Sequence, residues 1–135
     1  MKIVFDTNCL LKILPQNSQY RCLWDAFLRS EFMLCYTTEI LQEYEEVLAR
    51  FYFPKVAEFT LGTLVKSLNT VQIIPYYKWN LISADPDDNK FVDCAFNAGA
   101  DYIVTNDKHF KILKDIHFPK INVIDIDTFK GIIST

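Results

Sequence analysis

The stretch from Asp85 to Asp107 constrains the fold more than any other part of this chain. It opens with the acidic loop Asp85-Pro86-Asp87-Asp88 and runs with helical character to Ala98. After Gly99 it resumes as the apolar run Tyr102-Ile103-Val104 before Thr105-Asn106-Asp107. A glycine after the last periodic residue marks a helix C-terminus. A short apolar run without alternation reads as a strand covered on both faces, as in a parallel sheet. In an open α/β sheet, ligands bind outside the carboxyl ends of the strands, which is where Asp107 falls. The run Ile3-Val4-Phe5 repeats the pattern and ends in Asp6-Thr7-Asn8. If these two strands are parallel neighbours, Asp6 and Asp107 converge. Carboxylates brought together repel unless a cation or a proton is shared between them, so a divalent metal is the economical expectation.

The remaining segments fit the same architecture. After a first strand over residues 2–6, Thr7-Asn8 opens a short helix through Leu14, and Ser18 caps a second that ends near Ser30. Met33-Leu34-Cys35-Tyr36 forms the second strand. Thr37 or Thr38 caps a helix whose Ile40, Leu41, Tyr44, Val47, Leu48 and Phe51 follow a 3.6-residue period. Another helix runs from Pro54 to about Leu68, and Val71 to Pro75 is the third strand. Residues 76–84 are a connection rich in aromatic side chains, either a lid or a contact surface. Asp87 or Asp88 caps the helix to Ala98, and the fourth strand spans residues 102–105. A short helix runs from Asp107 to about Lys114, the fifth strand covers residues 122–124, and Asp127 or Thr128 caps a final helix. Strands alternating with helices predict one domain over residues 1–135, a three-layer α/β/α sandwich around a mainly parallel sheet.

Composition narrows the function classes. Half of the residues are hydrophobic and 23% are charged, which suits a packed core. No apolar run approaches the roughly 20 residues of a membrane span, and the N-terminus lacks the form of a signal peptide, so a cytoplasmic protein without membrane contact is expected. Cys9, Cys22, Cys35 and Cys94 lack a CxxC spacing and sit among apolar neighbours, as reduced core cysteines do. His109 and His117 form no metal-ligand pair in sequence. A formal net charge of −3 argues against a general basic nucleic-acid binder. It is compatible with a nuclease, whose metal-binding carboxylates carry negative charge offset by the bound ions.

Four carboxylates hold informative positions: Asp6 and Asp107 just past strands, Asp88 at a helix N-terminus, and Glu43 between Ile40 and Val47 on an inward helical stripe. Singly, each has an ordinary reading as a cap or a surface residue; together they define one sheet edge. Mg²⁺ and Mn²⁺ take oxygen ligands, usually one or two carboxylates with waters and phosphate oxygens. Such an ion activates water and polarises a phosphodiester. The constellation of Asp6, Glu43, Asp88 and Asp107 therefore suits phosphodiester hydrolysis. Asp93 lies about 140° around the helix from Asp88 and is expected in solvent, with reach into the metal shell from a tilted helix as the alternative. Lys108, Lys111 and Lys114 read as a solvated face, with a phosphate-tracking rim as the alternative.

At these residues the chain resembles the PIN-domain nucleases, in particular the VapC-like toxin ribonucleases of bacterial and archaeal toxin–antitoxin pairs. The resemblance rests on Asp6-Thr7-Asn8, Thr38-Glu39-Ile40-Leu41-Gln42-Glu43-Tyr44, Pro86-Asp87-Asp88-Asn89-Lys90-Phe91 and Gly99 through Asp107. It implies a metal-dependent, single-strand-directed ribonuclease. Asp6, Glu43, Asp88 and Asp107 match the acidic metal-binding set, and Thr7, Asn8 and Thr105 the supporting positions; on that match Asp6, Asp88 and Asp107 are expected to hold one or two Mg²⁺ or Mn²⁺ ions while Glu43 orients the attacking water. It also implies a homodimer silenced by an antitoxin. Asn106, next to Asp107, leaves the acid at the fourth position open to a shift by one residue.

Other classes fit less well. An aspartyl-nucleophile phosphatase wants an acid two positions after Asp6, where Asn8 stands, and a receiver domain wants paired acids early and a lysine after its last strand. An inactive PIN-like binding module would be expected to have lost part of the acidic set.

Overall fold

A computed structural model describes residues 1–134. Five parallel strands form the central sheet in the order β3-β2-β1-β4-β5: β1 (Lys2–Phe5), β2 (Met33–Tyr36), β3 (Thr70–Gln72), β4 (Tyr102–Val104) and β5 (Val123–Ile124). Every pairing is parallel, so the mainly parallel sheet expected from the apolar runs is parallel throughout. Helices α1 (Thr7–Ile13), α2 (Arg21–Leu28), α3 (Thr38–Phe51), α4 (Pro54–Lys66), α5 (Asn89–Ala98) and α6 (Ile126–Ser134) complete an α/β/α sandwich. Two 3-10 segments, Pro86–Asp88 and Lys108–Asp115, flank α5 and β4.

The core explains why the strand runs lack polar interruption. Ile3, Val4 and Phe5 are all buried, with helices on both sides of β1. On one side Phe5, Phe32 and Phe129 meet edge to face, with centroids 5.2–5.8 Å apart, and Phe27 and Trp24 extend the cluster. This arrangement suits the ring quadrupoles and ties α2 and α6 to β1. Helix α5 packs across β1, β2 and β4 and supplies buried Phe91, Val92, Cys94 and Ala95. Gly99 ends it at φ 63°, the left-handed conformation that glycine tolerates best.

Several boundaries differ from the sequence reading. Strand β3 ends at Gln72, three residues before Pro75, because Tyr36 closes β2 and its carbonyl takes the Ile73 N–H at 2.7 Å. At α3 the structure agrees with the reading and selects Thr37 of the two candidate caps, which accepts from the Ile40 N–H at 3.2 Å. Asp125 caps α6, accepting from the Thr128 N–H at 2.7 Å, in place of Asp127 or Thr128. Neither Asp87 nor Asp88 caps with its side chain before α5. Asp85 instead caps the 3-10 segment that precedes α5, accepting from the Asp87 N–H at 3.2 Å. Cys9, Cys35 and Cys94 are buried free thiols, whereas Cys22 is an exposed one.

The strand order reverses at β1. The chain leaves β1 towards β2 and β3, then crosses back over α5 to β4 on the other side. The crevice between the carboxyl ends of β1 and β4 is thus the topological switch point, where open α/β sheets bind ligands.

Candidate metal centre

The register of β1 against β4 builds the first part of the site. Phe5 pairs with Val104, and the Asp6 N–H donates to the Val104 carbonyl at 3.1 Å, so Asp6 and Thr105 leave the sheet side by side. The Thr105 hydroxyl then donates to Asp6 Oδ2 at 2.7 Å. The same oxygen of Thr105 accepts from the Asp107 N–H at 3.0 Å, which aims Asp107 back towards β1. Asp6 precedes α1, but its side chain makes no cap hydrogen bond. Its carboxylate is buried, and burial pushes its pKa up, with Asp107 and Glu43 adding to the rise and the Thr105 hydrogen bond opposing it.

Glu43 reaches the crevice through its neighbour. Tyr44 is fully buried, and its hydroxyl donates to the Phe5 carbonyl at 2.5 Å, pinning the first half of α3 to the end of β1. The residue before it, Glu43, accepts from the Thr7 hydroxyl with one oxygen and pairs with Lys90 Nζ at 2.7 Å with the other.

Asp88 closes the cluster from the 3-10 turn before α5. Its pKa is raised from 3.8 to about 6, first by burial and then by the carboxylates of Asp85, Asp107 and Asp6, with His109 opposing the rise. Its Oδ2 is buried and has no hydrogen-bond partner, and the same holds for His109 Nδ1. His109 Nδ1 lies 3.3 Å from Asp107 Oδ1 and 3.6 Å from Asp88 Oδ2. Asp85, Asp88 and His109 each offer a ligand atom within 4.8 Å of the others. Asp107 Oδ1 also accepts from the His109 N–H at 2.9 Å, so the start of the 3-10 turn fixes the Asp107 side chain.

Of the four acids read from the sequence, Asp6 is electrostatically coupled to Asp107 and Glu43, and Asp88 to Asp107 and Asp6, with Thr7 bonded to Glu43 and Thr105 to Asp6; the ligand atoms that meet within 4.8 Å are those of Asp85, Asp88 and His109. Asn8 stands at the wall of an adjoining cleft of about 430 Å³, with Asp6, Lys12, Phe51, Asn106 and Asp107. The Asn106 side chain serves the scaffold instead. Its oxygen accepts from the Ile126 N–H at 3.0 Å and anchors the start of α6. Asp107 is therefore the residue turned to the cluster. Asp93 is neither in solvent nor in the cluster. It is 6% exposed and accepts from the Trp79 N–H at 3.0 Å, holding the aromatic connection over α5. Burial raises its pKa.

Sequence reasoning missed Lys90 and His109, and it gave Asp85 only the role of a loop or capping residue, although Asp85 stands with Asp88 and His109. One signal was present for Lys90: a lysine in the first turn of a helix faces the positive end of its dipole, so something acidic must hold it there. The donor set suits a hard divalent cation. It is mostly carboxylate oxygen, burial and then neighbouring carboxylates raise the pKa of two of its members, and it leaves a buried carboxylate oxygen unpartnered.

Comparison with known proteins agrees with the geometry. The model of the PIN domain matches residues 2–109. The chain belongs to the PIN-domain family. No curated protein matches it by sequence. Among solved structures, this PIN-domain chain is similar to VapBC2 from Rickettsia felis, crystallised bound to a DNA fragment from its promoter. That match has a TM-score of 0.63 and 14% identity over 93% of this chain and 98% of the other. DNA-bound VapBC from Salmonella typhimurium gives 0.59 and 17% over the same shares. The T. brucei RRP44 PIN domain gives 0.55 and 13% over 98% of this chain and 81% of that one. At these identities the likeness is one of fold. Among the described residues no helix is long and apolar enough to cross a membrane.

Proposed function

We propose that this chain is an endoribonuclease that hydrolyses phosphodiester bonds of single-stranded RNA with Mg²⁺ or Mn²⁺, as the toxin of a toxin–antitoxin pair. The observation that carries the reading is the cluster of Asp6, Asp88 and Asp107 at the switch point. Two of its carboxyls are raised by burial and mutual repulsion, and one of its buried oxygens lacks a partner.

Asp6, Asp88 and Asp107 would hold the cation. When bound, it would supply a Lewis acid for the phosphate and a lowered pKa for the attacking water. Each residue of the chain has a defined part. The Thr105 hydroxyl keeps Asp6 in one orientation, and the Asp107 N–H and the His109 N–H fix the turn that aims Asp107. Glu43, clamped between Thr7 and Lys90, is the oriented carboxylate available to align a water and accept its proton. Lys111 and Lys114 border a cleft beside Asp107 that also carries Asp125 and Asp127, and the two lysines are its groups able to meet a phosphate.

The toxin assignment rests on membership of the PIN-domain family and on fold similarity to the VapBC structures. The apolar side chains Phe51, Phe53 and Phe59 of the α3–α4 pair are 65%, 73% and 76% exposed. They support an antitoxin or a second copy of the chain as partner, because apolar patches of this kind mark interaction surfaces. A cytoplasmic site of action follows from the RNA substrate.

The test is cleavage of end-labelled single-stranded RNA with and without Mn²⁺ or Mg²⁺, comparing the natural chain with Asp6→Ala. Cutting that needs the ion and is lost in the variant supports the reading. Equal cutting by both proteins, or cutting unaffected by chelation, overturns it.

A further inference from the structure

We propose that the Lys90 ammonium takes the place of a second cation in the acidic cluster, so that the centre holds one divalent ion per chain with Glu43 reserved for water. The inference deepens the metal-dependent reading above and rests on it.

Lys90 sits where a lysine is unfavourable. It is the second residue of α5, facing the positive end of the helix dipole, and acidic residues are the ones favoured there. Its side chain is 10% exposed, and an amine so far out of water must be paired. The pairing comes from Glu43 Oε1 at 2.7 Å and Asp87 Oδ1 at 3.0 Å, with the Phe91 ring 5.5 Å from the ammonium. Of these partners Glu43 is the enclosed one, at 23% side-chain exposure, while Asp87 is 78% exposed. The stronger hold is therefore on Glu43. A residue that breaks a local rule and is compensated from a different element is expected at a functional site rather than in a purely structural one.

The consequence is for charge and geometry. Two-metal hydrolytic sites place their ions about 3.5–4 Å apart and need carboxylates that reach both. Glu43 is the cluster member on the α3 side, and both its oxygens already face donors, the Thr7 hydroxyl and the Lys90 ammonium. A second divalent ion on Glu43 would have to sit against a fixed positive charge. Lys90 therefore neutralises Glu43, fixes its direction and excludes that ion. It is a positioning residue, acting through Glu43.

Stoichiometry reads this without RNA. Mn²⁺ is titrated into the purified, metal-stripped chain, with free Mn²⁺ followed by electron paramagnetic resonance and bound Mn²⁺ by calorimetry. The natural chain is expected to take up one Mn²⁺. Lys90→Gln is expected to take up two, and Lys90→Arg one. The double variant Lys90→Gln/Glu43→Gln should return to one, because the added ion needs Glu43. Two ions in the natural chain, or one in Lys90→Gln shown to be folded by circular dichroism, would overturn the inference while leaving the metal centre intact. If Lys90→Gln does not fold, the count in the natural chain decides alone. No Mn²⁺ bound by the natural chain would overturn the metal-dependent reading as well.

Discussion

Replacing Asp88 by asparagine should make the metal-free protein more stable while removing its response to metal. Asp88 titrates at about 6 where an ordinary aspartate titrates at 3.8. At about 1.36 kcal/mol for each pH unit, ionising it inside the fold costs at most ~3 kcal/mol at neutral pH. Solvent reaching the mouth of the crevice screens part of this, leaving about 1–2 kcal/mol. The sign follows from linkage. The folded state holds the Asp88 proton more tightly than the unfolded one, so stability falls as pH rises from near 4 through about 6 and is lowest above that window. Asparagine carries no charge and escapes the loss. For 135 residues the unfolding entropy is roughly 0.28 kcal/mol/K, so the gain is about 4–7 °C in Tm at pH 7.5, shrinking towards zero near pH 4. Mn²⁺ reverses the ranking. At a hundredfold excess over Kd an ion stabilises its binding state by about 2.7 kcal/mol, which raises the Tm of the natural chain and leaves Asp88→Asn nearly unchanged. Differential scanning fluorimetry across pH, with and without Mn²⁺, reads all of this. A variant less stable than the natural chain at pH 7.5 without metal, or one equally stabilised by Mn²⁺, would refute the reasoning.

Other expectations concern the scaffold and the rim. Tyr44→Phe removes a buried hydroxyl from the Phe5 carbonyl and should lower stability in urea by about 1–2 kcal/mol. RNA cleavage should fall too, since Glu43 loses its anchor. Phe129→Ala empties the centre of the aromatic cluster on β1 and should cost about 3–5 kcal/mol by the same assay. Lys111→Ala combined with Lys114→Ala should weaken RNA binding across sequences. It should also flatten the salt dependence of Kd by about 0.7 in log–log slope for each phosphate no longer neutralised, with thermal stability unchanged because both side chains are exposed.

Much of the fold could be read from the chain because parallel strands buried on both faces leave a distinctive mark. Ile3-Val4-Phe5 and Tyr102-Ile103-Val104 have no alternation, and the acids that follow them must then lie at one sheet edge. The inward placement of Glu43 was legible because Ile40, Tyr44 and Val47 define the helical stripe that carries it, and it is bonded there to Thr7 and Lys90. What escaped depends on packing between distant elements. The rotation of about 140° assumed one α-helix through both residues, but Asp88 belongs to the 3-10 segment before α5, and the Trp79 connection covers Asp93, so Asp93 is buried. Lys90 and His109 join the site only when α5 lies beside α3 and a 3-10 turn follows β4, and neither arrangement has a local signature. The end of β3 was misplaced because the length of a strand at the sheet edge depends on where its partner β2 stops.

Whether the carboxylates at the β1–β4 crevice hold a divalent ion is tested most directly by crystals soaked in Mn²⁺ and measured at the manganese absorption edge. The predicted result is an anomalous peak bonded to oxygens of Asp6, Asp88 and Asp107, with Lys90 still paired to Glu43. A map with no peak there, or with manganese bound only at carboxylates elsewhere on the surface, would contradict it.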